Sequence, residues 1–326
     1  MRHGGRLAAA RDAFPKATLP WIDLSTGVNP SPWKNPALRS ADVSRLPDPA
    51  DTAALEAAAA AAFGAAPACV AAVPGSDASL RLLPYLLDAQ NVGVISPTYN
   101  GHAEAWTIAG KTVTAIGAGD DPLAYDAVVL ANPNNPDGAR HTAEDIRSLA
   151  EGLKTRGRWL IIDETFADVV PESSVAEAAG ERLVVLRSFG KFYGLPGLRL
   201  GFVIADQVLT AKVRATFGDW PVSAAAVAAG RAAYADLTWQ DSARKRLQLS
   251  AKRLDRLLLR NGFQIIGGTS LFRLAAHPDA ARCFRILADA GILVRAFADQ
   301  STWLRFGLPR PADWKRLTAA LERCAP

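Results

Sequence analysis

The sequence predicts an α/β protein, with a mostly parallel central sheet covered by helices and a smaller α+β domain at the C-terminal end. Its 326 residues, 49% of them apolar and 21% charged, are enough for about two globular domains. Short runs rich in Val, Ile and Leu alternate with helical windows through the middle of the chain, which is typical of a parallel sheet with helices on both faces. From about residue 220 long helical windows are followed by short strands, which indicates the second domain.

Two helices are predicted near the start of the first domain. The alanine run at residues 57–62 indicates a helix with Asp51 as its cap and Gly64 at its end. The segment Pro74-Gly75-Ser76-Asp77 then opens a second helix that runs through Leu87.

The strands of the central sheet are predicted next. Each candidate is short, rich in Val, Ile or Leu and bounded by turn residues, which is the pattern of a strand buried on both faces. The clearest helix between them covers residues 142–156, with Thr142 as its N-cap and Gly157 just past its end. The predicted strands are residues 92–95, 112–116, 128–131, 159–162, 183–186 and 200–204.

The C-terminal part has a different order of elements. Two long helical windows, residues 222–235 and 239–261, precede short strands. The predicted strands there are residues 263–266, 271–274, 292–295 and 303–307. We therefore expect an N-terminal segment of residues 1–35, a large domain of residues 36–220 and a small C-terminal domain of residues 221–326.

Composition excludes several classes of protein. The net charge is only +5 and no aromatic residues interleave the densest basic run, residues 244–246, so a solvated helix face is favoured there over nucleic-acid binding. Cys69, Cys283 and Cys324 are far apart, which indicates neither a disulfide framework nor a metal site. Without a long apolar stretch or a signal-peptide core, we expect a cytoplasmic protein with no membrane partner.

A lysine and an arginine follow the predicted strand at residues 183–186. Lys191 ends the segment Ser188-Phe189-Gly190-Lys191, and a lysine in such an apolar loop can lose its proton, as imine formation with an aldehyde requires. Arg199 lies eight residues further on and offers a planar fork of donors suited to phosphate. Taken alone, the lysine also fits solvated surface and the arginine a salt bridge at the sheet edge.

Two further features lie at predicted strand ends, and a third lies at a predicted helix start. Asp163 closes the strand at residues 159–162, where a carboxylate is costly unless it is paired, either with a protonated ring nitrogen or with backbone amides and an arginine. The Asn- and Pro-rich turn at residues 132–138 needs no function, although its amides could bind a ligand hydroxyl. The helix that opens at Ser76 presents free N–H groups that suit an anion, as any capped helix does.

In combination these features are far more specific. The chain has an anion-binding helix start, an aromatic strand end at Tyr99, an Asn-Pro turn, Asp163, then Ser-x-x-Lys and an arginine eight residues later. This order resembles the pyridoxal-phosphate enzymes of the aspartate aminotransferase fold, fold type I. The nearest branch is similar to histidinol-phosphate aminotransferase and threonine-phosphate decarboxylase of cobalamin biosynthesis. The resemblance runs from His3 to about Leu321, and residues 135–138 match the family's Asn-Pro-Thr-Gly with one change.

The resemblance implies pyridoxal phosphate as the cofactor and a role for each matching residue. Lys191 would bind the cofactor aldehyde and shuttle protons, and Asp163 would pair with the pyridine nitrogen. Asn135 would bond the ring hydroxyl and Tyr99 would stack on the ring. Arg305 falls where the family's arginine binds the substrate carboxylate. The cofactor phosphate would be held by Gly75, Ser76, Asp77, Ser188 and Arg199.

Two positions depart from the family pattern. Phe166 stands where the family often has a tyrosine, so a second bond to the ring hydroxyl is missing. Leu46 replaces a tyrosine that usually reaches the cofactor phosphate of the partner subunit. The resemblance implies a homodimer, and Leu46 leaves open whether the subunits share that contact.

The N-terminal segment favours one branch of the family. His3-Gly4-Gly5 and residues 21–30 resemble the start of the cobalamin-pathway decarboxylases, with His3 and Asn29 expected near the substrate phosphate. We therefore expect a carboxy-lyase acting on L-threonine O-3-phosphate, a small phosphorylated amino acid. An aminotransferase acting on histidinol phosphate or an aromatic amino acid is the alternative, because the cofactor residues are common to both reactions. A non-catalytic regulator is disfavoured by the intact Lys191 and Arg305.

Overall fold

The computed structural model describes residues 4–34 and 41–325, so that His3 lies outside the described residues. These residues form two compact units. The smaller unit contains the described residues up to Pro32, the short stretch Pro136–Gly138, and the residues from Gln240 onward. The larger unit contains Trp33–Asn135 and Ala139–Trp239.

Each helix and strand that the sequence predicts has a counterpart in the structure, which also contains elements that the sequence analysis did not name. The helices of the described residues are α1 (Leu7–Ala13), α2 (Pro49–Phe63), α3 (Ser76–Leu86), α4 (Gly101–Ile108), α5 (Ala143–Lys154), α6 (Phe189–Phe192), α7 (Gln207–Phe217), α8 (Ala224–Ala235), α9 (Leu237–Arg260), α10 (Ala280–Asp289) and α11 (Trp314–Glu322). The strands are β1 (Ile22–Asp23), β2 (Val70–Val73), β3 (Asn91–Ile95), β4 (Thr112–Ile116), β5 (Ala127–Ala131), β6 (Trp159–Asp163), β7 (Leu183–Ser188), β8 (Gly201–Ile204), β9 (Gln264–Thr269), β10 (Phe272–Ala276), β11 (Ile292–Leu293), β12 (Arg295–Ala296) and β13 (Trp303–Gly307). Among the described helices, none is long and apolar enough to cross a membrane.

The larger unit is built on a seven-stranded sheet in the order β2-β8-β7-β6-β5-β3-β4. Strand β8 runs antiparallel to both of its neighbours, and the other pairs are parallel. The mostly parallel sheet is therefore confirmed. Every residue of β2, β5 and β7 is buried, as expected for strands covered on both faces. The carboxyl ends of the parallel strands meet at one edge, which is where ligands bind in open α/β sheets.

The smaller unit contains a four-stranded antiparallel sheet in the order β12-β13-β10-β9. Beside it, β1 pairs with β11 in parallel. The small α+β domain was predicted, but the pairing of an N-terminal strand with a strand 270 residues later was not. This pairing places the N-terminal residues with the C-terminal part of the chain.

One expectation about a helix boundary differs from the structure. Helix α2 is capped by Asp48, whose side chain accepts a hydrogen bond from the N–H of Ala50, rather than by Asp51. The reason is Pro49, which suits the first position of a helix because no N–H partner is needed there. The larger unit continues to Trp239, and the division of the chain into domains near residues 35 and 220 stays a prediction. Helix α8 packs on α2 so closely that a Cβ on Gly230 would lie 2.4 Å from a methyl of Leu55.

Candidate active site

Asp163 is the last residue of β6, at the carboxyl edge of the sheet in the larger unit. One carboxylate oxygen accepts a hydrogen bond from the N–H of Thr165 at 2.9 Å, and the other lies 3.1 Å from Nε2 of His102. Burial raises the pKa of Asp163, but the contacts with His102 and Thr165 outweigh burial and hold that pKa below its ordinary value. Asp163 is therefore a carboxylate that stays ionised in a buried place.

His102 is a residue that the sequence analysis did not single out. It lies in the first turn of α4, is almost fully buried, and its ring meets the ring of Tyr99 edge to face at 5.8 Å. Gly101 makes this packing possible, because a Cβ there would lie 2.3 Å from the ring of Tyr99. The only sequence signal was its position three residues after Tyr99, and one histidine in a helix rarely indicates a role.

The start of α3 has the donors that suit an anion. The N-terminus of this eleven-residue helix carries free N–H groups and the positive end of the helix dipole. A Cβ on Gly75 would lie 2.6 Å from Nη2 of Arg199, so the guanidinium rests directly against the backbone at the helix start. The backbone of Arg199 is left-handed (φ +55°), a conformation that costs a non-glycine residue about 1–3 kcal/mol and is typical of functional sites.

The pairing of the strands places Ser188 beside Gly201, which lies against the start of α3. In the sheet, Gly201 of β8 lies between Ser188 of β7 and Val73 of β2. A Cβ on Gly201 would lie 2.4 Å from the N–H nitrogen of Ser76, so only glycine lets α3 begin this close to the strand. Asp77 is also in the first turn of α3, but its carboxylate forms an exposed ion pair with Arg81 at 3.1 Å.

Lys191 lies in the short helix α6, directly after β7. Its ammonium nitrogen lies 5.9 Å from the centre of the ring of Phe166, which is three residues beyond Asp163. Gly190 allows the following loop to fold back, because a Cβ there would lie 2.7 Å from Cα of Pro196. The lysine and the aspartate loop are thus neighbours in the larger unit.

The asparagine turn contains two residues with structural partners. The side chain of Asn132 bonds the backbone of His141 and Ser173 and is completely buried. Asn134 accepts a hydrogen bond from Thr98 at 2.7 Å and donates to the carbonyl of Pro97 at 2.9 Å. Asn135, the residue predicted to contact the cofactor, ends the part of this turn that lies in the larger unit.

A buried ion-pair network stands behind the end of β6. Glu164 follows Asp163 directly and accepts hydrogen bonds from Ser174 at 2.5 Å and from Nη1 of Arg187 at 3.0 Å. The second arm of Arg187 pairs with Asp168. Burial raises the pKa of Glu164. Because breaking a buried ion pair is costly, this network holds the loop that carries Asp163 in one conformation.

The smaller unit contains Arg305, in the middle of β13 and only 8% exposed. Its Nη2 donates a hydrogen bond to the carbonyl of Ser25 at 2.9 Å, and its guanidinium lies 5.1 Å from the ring of Phe272. Arg295 of β12 is its direct cross-strand partner. Burial, and after it the charge of Arg295, lower the pKa of Arg305 to about 10, while the charge of Asp23 opposes them.

Of the two substrate residues predicted in the N-terminal segment, the structure describes Asn29 but not His3. Asn29 is buried, and its side-chain oxygen accepts a hydrogen bond from the N–H of Ser31 at 2.9 Å. His3 is outside the described residues. Arg295 was not singled out by the sequence analysis, because the register that pairs it with Arg305 depends on the loop between β12 and β13.

Pyridoxal phosphate, which the sequence resemblance implies, fits the donors of the larger unit. A buried, ionised Asp163 suits a protonated ring nitrogen. The glycine-lined start of α3, with Arg199 against it and Ser188 in register beside it, suits a phosphate group. Lys191 supplies a primary amine for an aldehyde.

Comparison with known proteins agrees with this chemistry. Residues 20–321 match the family of class I and II aminotransferases. A curated threonine-phosphate decarboxylase of Pseudomonas aeruginosa is 39% identical over 326 residues, which cover 98% of this chain and 97% of the relative. A second, from a Sinorhizobium species, is 38% identical over 328 residues, with the same coverage of 98% and 97%.

A solved structure supports the fold. The histidinol-phosphate aminotransferase of Sinorhizobium meliloti, in complex with pyridoxal-5'-phosphate, matches with a TM-score of 0.85. The match covers 97% of this chain and 93% of that chain, at 22% sequence identity. At this identity the likeness concerns the fold alone, and it confirms the predicted fold class.

Proposed function

The chain belongs to the class I and II aminotransferase family, and we propose that within it the protein is a carboxy-lyase acting on L-threonine O-3-phosphate. The products would be (R)-1-amino-2-propanol O-2-phosphate and carbon dioxide. The resemblance inferred from the strand-end motifs is confirmed by the family match and by the two decarboxylase relatives. The cofactor is pyridoxal phosphate, which when bound supplies an aldehyde for the substrate amine and a ring that accepts electrons.

The observation that carries the substrate assignment is the pair of Arg295 and Arg305 on neighbouring strands. Like charges directly opposite each other destabilise a sheet, and here the charge of Arg295 adds to burial in lowering the pKa of Arg305. A substrate with two anionic groups removes this repulsion, because it offers one anion to each guanidinium. We propose that Arg305 binds the carboxylate and that Arg295, with His3 and Asn29 of the N-terminal segment, binds the phosphate.

The residues of the larger unit have separate tasks in this proposal. Asp163 keeps a proton on the ring nitrogen, and His102 keeps Asp163 ionised. Tyr99 packs against the ring face and Asn135 bonds the ring hydroxyl, while Phe166 offers no second donor. Gly75, Ser76, Asp77, Ser188 and Arg199 form the phosphate site.

Lys191 moves the protons of the reaction. Decarboxylation breaks the bond between Cα and the carboxylate carbon, which leaves as carbon dioxide. We assign Nζ of Lys191 to donate the proton that takes its place on Cα. In an aminotransferase the same nitrogen would first remove the proton from Cα, so these residues serve either reaction. The choice depends on how the substrate is oriented when the cofactor is bound, and that orientation is the task we assign to Arg305.

The decisive experiment measures carbon dioxide release from L-threonine O-3-phosphate without any 2-oxo acid. We expect stoichiometric carbon dioxide and aminopropanol phosphate from the wild-type protein and neither from Lys191→Ala. Histidinol phosphate with 2-oxoglutarate is the parallel assay. Turnover in that assay, without carbon dioxide from threonine phosphate, would establish the aminotransferase alternative.

We further propose that the protein is a cytoplasmic homodimer acting in cobalamin biosynthesis. Leu46, 67% exposed, stands where the family's tyrosine reaches the partner subunit. A subunit contact at the cofactor phosphate would then depend on other residues. Light scattering after gel filtration tests the dimer, and a monomer that retains full activity would contradict it.

A further inference from the structure

Ser25 connects three parts of the smaller unit, although it is only 2% exposed. Its hydroxyl donates a hydrogen bond to a carboxylate oxygen of Asp23 at 2.5 Å and accepts one from the N–H of Gly5 at 2.8 Å. Its own N–H donates to the same oxygen of Asp23 at 2.9 Å. Its carbonyl oxygen accepts from Nη2 of Arg305 at 2.9 Å.

The backbone around Ser25 is held on both sides by glycines. A Cβ on Gly291 would lie 1.9 Å from the carbonyl oxygen of Thr18, and one on Gly307 would lie 2.3 Å from the carbonyl oxygen of Thr26. The N–H of Gly307 also donates to the carbonyl of Leu24 at 2.6 Å. These contacts hold the backbone on either side of Ser25 against the C-terminal part of the smaller unit.

Gly4 approaches the same carbonyl oxygen that Arg305 binds. A Cβ on Gly4 would lie 2.3 Å from this oxygen. Because the oxygen belongs to the fixed backbone, a larger residue at position 4 would have to move the N-terminal residues away. One atom of Ser25 thus contacts both the N-terminal segment and the guanidinium of Arg305.

We propose that Ser25 is a positioning residue that couples docking of Gly4 and Gly5 to the orientation of Arg305. With the segment docked, the hydroxyl and carbonyl of Ser25 are both held, and Nη2 of Arg305 has a fixed acceptor. The rest of the planar guanidinium is then oriented toward the substrate carboxylate. This inference rests on the proposed function, in which Arg305 binds that carboxylate.

The coupling predicts how two small substitutions combine. Ser25→Ala removes the acceptor for Gly5, and Gly4→Ala displaces the segment sterically. Each should raise the KM for threonine phosphate by about 2- to 12-fold, the range for one lost hydrogen bond, and change kcat by less than about 2-fold. The KM of the double variant should be no higher than that of the single variant with the higher KM, because both changes release the same contact.

Ser44→Ala is the matched control. Ser44 makes the same two hydrogen bonds to Asp42 that Ser25 makes to Asp23, but it is exposed. Its KM and kcat should equal those of the wild-type protein. The proposal would be overturned if the fold-increases in KM of Gly4→Ala and Ser25→Ala multiply in the double variant. It would also be overturned if either variant has the same KM as Ser44→Ala.

Limited proteolysis tests docking without turnover. Trypsin cleavage after Arg6, followed by mass spectrometry on the holoenzyme without substrate, should be faster in Ser25→Ala and in Gly4→Ala than in wild type and Ser44→Ala. Equal rates in all four proteins would overturn the proposal. If the wild-type protein releases no carbon dioxide from threonine phosphate, the proposed function fails, and the proteolysis comparison alone decides whether Ser25 holds the segment.

Discussion

Replacing Arg305 by methionine should separate stability from substrate binding. The lowering of its pKa to about 10 means that keeping this buried side chain charged costs the fold roughly 3 kcal/mol at neutral pH. Methionine keeps most of the apolar stem and the contact with Phe272 but carries no charge. It also loses the hydrogen bond to the carbonyl of Ser25, which is worth about 1.5–3 kcal/mol for a charged donor.

The two effects oppose each other, so the free energy of unfolding of Arg305→Met should lie between the wild-type value and about 1.5 kcal/mol above it. Because the folded protein keeps Arg305 protonated at every pH below about 10, the difference should be constant from pH 5 to 9. The kcat/KM for threonine phosphate should fall by at least about 10-fold, and by more than 100-fold if both carboxylate bonds are lost.

Urea denaturation followed by circular dichroism measures the stability, and carbon dioxide release measures activity. Arg310→Met is the control, since Arg310 is an exposed arginine paired with Asp313 and should change neither quantity appreciably. If the free energy of unfolding of Arg305→Met is lower than that of the wild-type protein by more than about 3 kcal/mol, Arg305 is mainly structural. Normal kcat/KM would remove Arg305 from the substrate site.

Three further changes test the larger unit. Lys191→Ala should keep the wild-type melting temperature but lose visible absorbance and turnover, and an active variant would remove Lys191 from the mechanism. His102→Gln should raise the pKa of Asp163, because the contact that opposes the effect of burial is weakened. In the wild-type protein the stability that ionised Asp163 contributes is lost only as the pH falls through its low folded pKa. The ratio of cofactor affinity at pH 5 to that at pH 8 should therefore fall in the variant and not in the wild-type protein. Equal ratios would show that His102 does not control Asp163. Gly201→Ala should weaken cofactor binding at least about 10-fold, since its Cβ would meet the backbone of Ser76, and unchanged affinity in a titration would place the phosphate elsewhere.

Much of the fold could be predicted because its signals are local. The strands of the sheet are short runs of Val, Ile and Leu between turn residues, and the helix at Thr142 carries its own cap. Strand β2 was missed because two of its four residues are alanines, which have weak β propensity. The cap of α2 was misplaced by three residues because two aspartates flank Pro49 and periodicity does not choose between them.

The candidate cofactor site could be predicted for a related reason. Lys191 and Arg199 are eight residues apart in one loop, and Asp163 ends a strand, so the chemistry follows from motifs that each lie within a short stretch. Parallel strands then bring their carboxyl ends to one edge whatever their exact register.

The contacts between residues far apart in the sequence were decided only by the tertiary structure. His102 in α4 meets Asp163 at the end of β6, Arg295 faces Arg305 through a register set by an intervening loop, and the carbonyl of Ser25 binds Arg305, which lies 280 residues later. None of these pairs has a periodicity or a motif of its own, because each depends on how separate elements pack and on which residue of one strand faces which residue of the next. By itself the sequence determined the kinds of elements and the cofactor chemistry, whereas packing and register decided which residues contact Asp163 and Arg305.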